Sequence, residues 1–237
     1  MDNVILKINS SNLRELNNSE RVARYYPYEY LKAIVDDKLY FRNCELFDDD
    51  NERKHPERAK FLNKAALDIT VKIHHHLKDK CRAYVSCWTL FDNENVALWK
   101  IYDKGSNGAC VVTTIGKLKE QLGQDILINK VIYDEHVFSP FIDIDGVASN
   151  YPASEFFKIK PYFFEEEVRA VFYSKSHEAG IFRDVDFVSL VDEVYLSPFA
   201  SDENKQTVKK LLLSKLGEDK IKESIISETK KTSDSVN

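Results

Sequence analysis

Tyr162-Phe163-Phe164-Glu165-Glu166-Glu167-Val168-Arg169-Ala170-Val171-Phe172-Tyr173 joins an aromatic knuckle, an acidic triplet and an alternating segment. The alternation is that of a β-strand. Val168, Ala170 and Phe172 fall on one face, with Glu167, Arg169, Val171 and Tyr173 on the other. A strand that begins early enough adds Glu165 to the second face. Two carboxylates and a guanidinium then lie in one row, about 7 Å apart at each step of two residues. A solvated strand end with an internal ion pair fits this pattern, and so does a catalytic Glu-x-Glu at the mouth of a polar cleft.

Around this stretch the chain alternates between short strands and short helices. Upstream, strand patterns occur at 4–8, 39–41, 82–89, 109–113 and 126–133, and Arg24-Tyr25-Tyr26 is extended before Pro27. Residues 28–37 form an amphipathic helix with Tyr28, Leu31, Ile34 and Val35 on one face. Pro56 opens a long helix to about residue 80. A helix at 93–103 packs through Ala97, Leu98 and Ile101, with Trp99 and Tyr102 on a neighbouring stripe. Another at 115–122 ends at Gly123. A long loop spans 134–152, and a helical turn at 154–160 leads into the central stretch. Downstream, strands are expected at 187–190, 193–196 and 220–226. Ser201 caps a helix that runs to 216 and ends at Gly217. With no internal repeat or linker, the expected fold is a single α+β domain over 1–226. It has mixed and antiparallel sheets with flanking helices, and a polar tail at 227–237.

The bulk numbers exclude several classes. The chain has 237 residues, 43% hydrophobic and 31% charged, and a net charge of -5 without a basic block. That is a globular composition and a poor one for broad nucleic-acid binding. Seven glycines include no phosphate loop of the P-loop or Rossmann kind. Cys44, Cys81, Cys87 and Cys110 contain no Cys-x-x-Cys pair, so no structural zinc is expected. His74, His75 and His76 point about 100° apart on a helix and cannot share one metal. The N-terminus lacks signal-peptide character, and no apolar run approaches the roughly 20 residues of a membrane span. A cytoplasmic protein with reduced thiols and no membrane partner is expected.

In order along the chain, Arg24-Tyr25, Leu39-Tyr40-Phe41, Phe47-Asp48-Asp49, Ser86-Cys87-Trp88, Leu98-Trp99-Lys100-Ile101-Tyr102 with Gly108, Glu165-Glu166-Glu167-Val168-Arg169 and Val194-Tyr195-Leu196-Ser197-Pro198 resemble a bacterial and phage family known as domain of unknown function 2971. The resemblance covers about residues 24–213. Asp50 and Ser197 depart from the family's proline and glycine. The layout also resembles that of ADP-ribosyltransferases, which order Arg or His, Ser-Thr-Ser and Glu-x-Glu on successive strands. Ser86-Cys87-Trp88-Thr89 matches the second motif only in part.

These resemblances imply NAD, or a related nucleotide, as substrate. Glu167 then stabilises oxocarbenium character at the ribose, and Glu165 deprotonates or orients the acceptor. Arg24, with Tyr25 beside it, suits the pyrophosphate. Ser86 bonds the ribose or the catalytic carboxylate. Trp88, Trp99 and Tyr102 supply an aromatic wall for nicotinamide, and Arg169 completes the binding set. The implied setting is a bacterial toxin or phage-defence effector. Its macromolecular acceptor is undetermined, and an antitoxin or regulatory protein is its partner. Two other functions fit the same residues. One is a non-catalytic module that binds a nucleotide or a protein. The other is a nuclease with Asp48, Asp49, Glu165 and Glu167 around Mg²⁺. No resident metal is assigned, because the acidic run lacks calcium-loop spacing.

Overall fold

The computed structural model describes residues 7–8, 16–47, 82–103, 105, 107–133, 142–144, 147–149 and 154–226. The expected helix at 56–80, His74 to His76, Cys81, Asp48 to Asp50, most of the 134–152 loop and the tail lie outside the described residues. The architecture is α+β with both parallel and antiparallel strand pairs, as expected. The chain packs as two compact units and passes between them repeatedly.

One unit comprises Met1–Leu16, Phe41–Ser86 and Leu127–Ile181. Strand β1 (Lys7–Ile8) pairs antiparallel with β8 (Ile142–Ile144), which pairs with β9 (Val147–Ser149). The end of β3 (Lys38–Asn43) meets the start of β4 (Arg82–Leu90), with Arg42 opposite Val85. The long strand β11 (Glu167–Ser174) pairs antiparallel with β6 (Leu127–Lys130), Val168 opposite Lys130 and Val171 opposite Leu127. The expected single strand at 126–133 is two strands. At Val131, whose N–H donates to the Glu167 carbonyl at 2.8 Å, the chain leaves the β11 ladder. Its continuation β7 (Ile132–Tyr133) pairs in parallel with β10 (Phe157–Lys158). The expected helical turn at 154–160 shrinks to a 3₁₀ turn at Ser154–Phe156 before β10. Both faces of β11 are buried. The Phe172 ring lies 5.1 Å from Phe41 edge-on and 5.5 Å from Tyr84 in a stack. A half-wet strand would have left one of those faces polar and exposed.

The second unit comprises Asn17–Tyr40, Cys87–Ile126 and Phe182–Asn237. Here β2 (Arg21–Tyr26) pairs antiparallel with β5 (Ala109–Thr114), and β5 with β13 (Glu193–Leu196). The last strand β14 (Ile221–Lys222) runs parallel to β13 and is much shorter than expected. Helix α1 (Tyr28–Val35) buries Leu31, Ile34 and Val35. In α2 (Val96–Tyr102) the packing face differs from the expected one. Leu98 and Trp99 are buried, while Ala97 and Ile101 are exposed. Trp99 is turned inward against the edge of Tyr25, with centroids 4.9 Å apart, and joins Ala23, Phe91, Cys110 and Val112 in the core. The larger apolar surface of the indole outweighs a small alanine and a peripheral isoleucine in deciding which face turns in.

Helix α3 (Ile115–Leu122) has the expected bounds, and Gly123 ends it at φ 79, the left-handed region that favours glycine. Residues 187–190, expected as a strand, form a short helix, α4 (Phe187–Leu190). The Asp186 carboxylate explains it, accepting the Ser189 N–H at 3.1 Å and the Ser189 hydroxyl at 2.7 Å. An apolar run of four cannot reveal that cap by periodicity alone. Asp186→Ala is expected to remove this cap and to lower the melting temperature by about 2–4 °C in a thermal unfolding scan. Helix α5 (Asp202–Leu213) has its expected cap, with the Ser201 hydroxyl accepting the Asn204 N–H at 3.2 Å. It ends at Leu213, short of Gly217.

Candidate active site: a buried carboxylate cluster

The first unit holds four charged side chains together out of water. Glu165 is 7% exposed, Glu167 5% and Arg169 1%. The Lys158 side chain joins them at 9%. The pattern of two on β11 places Glu167 and Arg169 on one face, as expected. Their side chains then close the gap along the strand. The Arg169 Nε donates to Glu167 Oε1 at 3.0 Å and its Nη2 donates to Oε2 at 2.9 Å. This bidentate fork is the strongest geometry an arginine offers a carboxylate. The remaining guanidinium nitrogen, Nη1, donates to the Glu155 carbonyl at 2.6 Å, and the Phe47 ring faces the guanidinium at 5.6 Å.

Glu165 is not on the strand. It closes a 3₁₀ segment, Lys160–Glu165, and Glu166 follows in the left-handed conformation at φ 41. That conformation is uncommon for a residue with a Cβ. It turns the chain between the two flanking glutamates, so Glu166 is exposed while Glu165 and Glu167 are buried. The expected single row of three charges is therefore broken by a turn. The two carboxylates meet by another route. Lys158 Nζ donates to Glu165 Oε2 at 2.7 Å and lies 3.1 Å from Glu167 Oε2. Those two oxygens can be no further apart than the sum of these distances. The same ammonium lies 4.9 Å from the centre of the Tyr162 ring.

The backbone around Glu167 is tied as well. Its N–H donates to the Tyr133 hydroxyl at 2.8 Å, and Tyr133 is opposite Lys158 in the β7–β10 pair. The Tyr133 hydroxyl is pushed above its ordinary range, first by burial and also by the negative charge of Glu167. Burial likewise pushes the Glu165 carboxyl up, Lys158 pulls it down, the Glu167 charge adds an upward push and Arg169 opposes that. Glu165 can therefore give up or take a proton nearer neutrality than a solvated glutamate does. Outside the buried cluster, Phe163 and Phe164 stay exposed, and Phe163 packs edge-on to Tyr133 at 5.5 Å.

Ser86 is fully buried at the end of the β4 segment in this unit. Arg24, Tyr25, Trp88, Trp99 and Tyr102 belong to the second unit. Arg24 donates from Nη1 to the Tyr40 carbonyl at 3.2 Å and lies over the Tyr26 ring at 4.9 Å. The Tyr25 hydroxyl accepts the Asn95 N–H at 3.0 Å. Trp99 is buried and donates through Nε1 to Glu94 at 3.0 Å. Trp88 is buried, Tyr102 is exposed, and the Thr89 hydroxyl donates to the Leu90 carbonyl at 3.3 Å. Of the predicted set, the structure thus brings Glu165, Glu167 and Arg169 into one cluster.

Lys158 and Tyr133 escaped the sequence reading. Lys158 lies between aromatic and branched residues, at Phe156-Phe157-Lys158-Ile159. A buried-strand pattern with one cation in it is the signal that was available. Asp48 and Asp49, needed by the Mg²⁺ nuclease, lie outside the described residues. Among the described residues no group of three or more His, Cys, Asp and Glu is arranged to hold a metal ion, and no helix is long and apolar enough to cross a membrane. No family model, curated protein or solved structure matches this chain.

Proposed function

We propose that the chain is an NAD-consuming enzyme, an ADP-ribosyltransferase or NAD glycohydrolase, with Glu167 and Glu165 as its two working carboxylates. The observation that carries this is the pair itself, two buried carboxylates held in different environments beside one ammonium. Enzymes that break glycosidic bonds rely on such a pair, with one group held anionic and the other able to exchange a proton. Glu167, gripped by the Arg169 fork, supplies the fixed negative charge. As the bond between nicotinamide and ribose C1′ breaks, nicotinamide leaves with the electron pair, and positive charge develops on the sugar beside that carboxylate. Glu165, lifted toward neutrality by burial, takes the proton of the acceptor hydroxyl as its oxygen bonds to C1′. The resemblances described above supply NAD as the substrate class and a toxin or phage-defence effector as the setting.

Glu167→Gln keeps the shape and removes the charge. Nicotinamide release from NAD by the purified protein is expected to fall at least about 10²-fold in this variant, with the far-UV circular dichroism unchanged. Equal release by the variant and the wild type would overturn the assignment.

A second function has its own observation. Both oxygens of Glu167 already accept from Arg169, and Oε2 is also paired with Lys158, a pairing that also suits a purely structural cluster inside a binding module. NAD that raises the melting temperature without any nicotinamide release would favour this module.

A further inference from the structure

We propose that Lys158 is the positioning residue of the carboxylate site, holding Glu165 ionised as the base and fixing the Oε2 edge of Glu167. This rests on the NAD-consuming assignment above for its catalytic part. Its electrostatic part stands on the cluster alone.

Lys158 reaches the site from β10, an element separate in sequence from the turn that carries Glu165 and from the strand that carries Glu167. Its ammonium is directed at Glu165 Oε2 (2.7 Å), Glu167 Oε2 (3.1 Å) and the face of Tyr162 (4.9 Å). A buried ammonium with three donors has little freedom when two carboxylates and a ring surround it. Among the described residues, charged and titratable groups face Glu165 from three elements. Lys158 comes from β10, Glu167 and Arg169 from β11, and Tyr133 from β7. Arg169 is committed to Glu167 through its fork and to the Glu155 carbonyl. Among the described residues, Lys158 is a cation that bonds Glu165 directly. Without it, burial and the neighbouring Glu167 charge act on Glu165 against the weaker pull of Arg169, and the protonated acid is favoured.

Glu165 acts as a base only when ionised, so activity is lost on the acid side as it takes up a proton. Removing the Lys158 charge raises the pH at which that happens. In Lys158→Met the acid limb of the NAD-consumption profile moves to higher pH. The rate loss relative to wild type is therefore greater at pH 6 than at pH 8. Lys158→Arg keeps the charge and is expected to keep the wild-type limb even if its maximal rate drops. A residue with only a structural role would lower the rate equally across the profile and would not discriminate Arg from Met.

A second measurement does not depend on turnover. The protein is labelled with ¹³C at the glutamate side-chain carboxyl, and the Glu165 resonance is assigned by its loss in Glu165→Gln. That resonance is followed against pH in wild type, Lys158→Arg, Lys158→Met and Lys158→Gln. In the two neutral variants it is expected to titrate at higher pH than in wild type, and in Lys158→Arg close to wild type. Lys158→Gln keeps polar donors toward the carboxylates should Lys158→Met not fold. A Glu165 resonance unmoved in the neutral variants, or moved as far in Lys158→Arg, would overturn the proposal whatever the activity. A moved resonance in a protein that consumes no NAD would support the Lys158–Glu165 coupling and overturn the catalytic part together with the NAD assignment.

Discussion

Arg169→Met is expected to destabilise the protein by about 3–5 kcal/mol, because it leaves a buried carboxylate without its main partner. Arg169 is 1% exposed and gives Glu167 two charge-assisted bonds. In the variant, the two carboxylates keep Lys158 but lose the Arg169 charge, the Glu155 carbonyl loses the Arg169 donor, and the cluster becomes one charge more negative. Methionine fills most of the volume, so the cost arises from charge more than from a cavity. Arg169→Lys keeps the charge but not the fork and is expected to fall between wild type and Arg169→Met.

The deficit also has a pH dependence with a definite sign. Glu165 already has its carboxyl raised in the folded state, first by burial. A carboxyl raised on folding contributes stability that is fully present below its unfolded pKa and is lost as pH rises through its folded pKa. Removing the Arg169 cation strengthens that behaviour. Urea titrations should therefore find the gap between Arg169→Met and wild type widest near neutral pH and narrowing as the carboxyls protonate in acid. A gap under about 1 kcal/mol, the scale of a surface ion pair, or one that does not vary with pH would contradict this account of the cluster.

Gly108→Ala is expected to cost about 3 kcal/mol or more, since the backbone itself stands in the way. A Cβ at Gly108 would lie 2.0 Å from the Tyr26 carbonyl oxygen and 2.9 Å from Asp103 Oδ1. Neither neighbour can yield cheaply. Tyr26 is held in β2 opposite Ala109 of β5, and Asp103 accepts the N–H groups of Asn107 at 3.1 Å and Gly108 at 3.0 Å. The Gly108 carbonyl also accepts the Ser197 N–H at 3.2 Å, so the glycine is tied to the segment after β13 as well. Gly105→Ala is the control. Its Cβ would meet the end of the Asn107 side chain at 2.9 Å, which can swing aside. Denaturant midpoints should separate the two variants clearly, and equal midpoints would show that the β2–β5 edge relaxes around the methyl group.

Several features were legible in local sequence because local physics sets them. Ile115 to Leu122 carries a helical stripe bounded by Gly123, and it folds as that helix with that terminator. Ser201 is followed by acidic residues in a first turn and caps α5. Alternation from Glu167 onward gave the strand, and with it the shared face of Glu167 and Arg169. Each of these depends on spacings of a few residues, which periodicity and caps report directly.

What spacing could not report was decided by contacts between segments far apart in the chain. The length of β7 depends on β10 arriving beside it, and the start of the 187–190 helix is tied to distant segments, the Asp186 N–H donating to Gln121 Oε1 at 2.7 Å and the Phe187 N–H to Asp37 Oδ1 at 3.0 Å. Glu165, Glu167 and Arg169 are buried rather than exposed at a strand end, and the groups against them, Phe47, the Glu155 carbonyl and Lys158, come from other segments of the chain. Above all, Lys158 meets Glu165 and Glu167 only because a parallel strand pair and a left-handed turn at Glu166 bring three separate backbone segments to one point. A charge gains or loses its meaning from the dielectric and partners around it. Local sequence sets which ionisable groups the chain carries and on which elements most of them ride. Only the meeting of distant segments brings these four into one buried site.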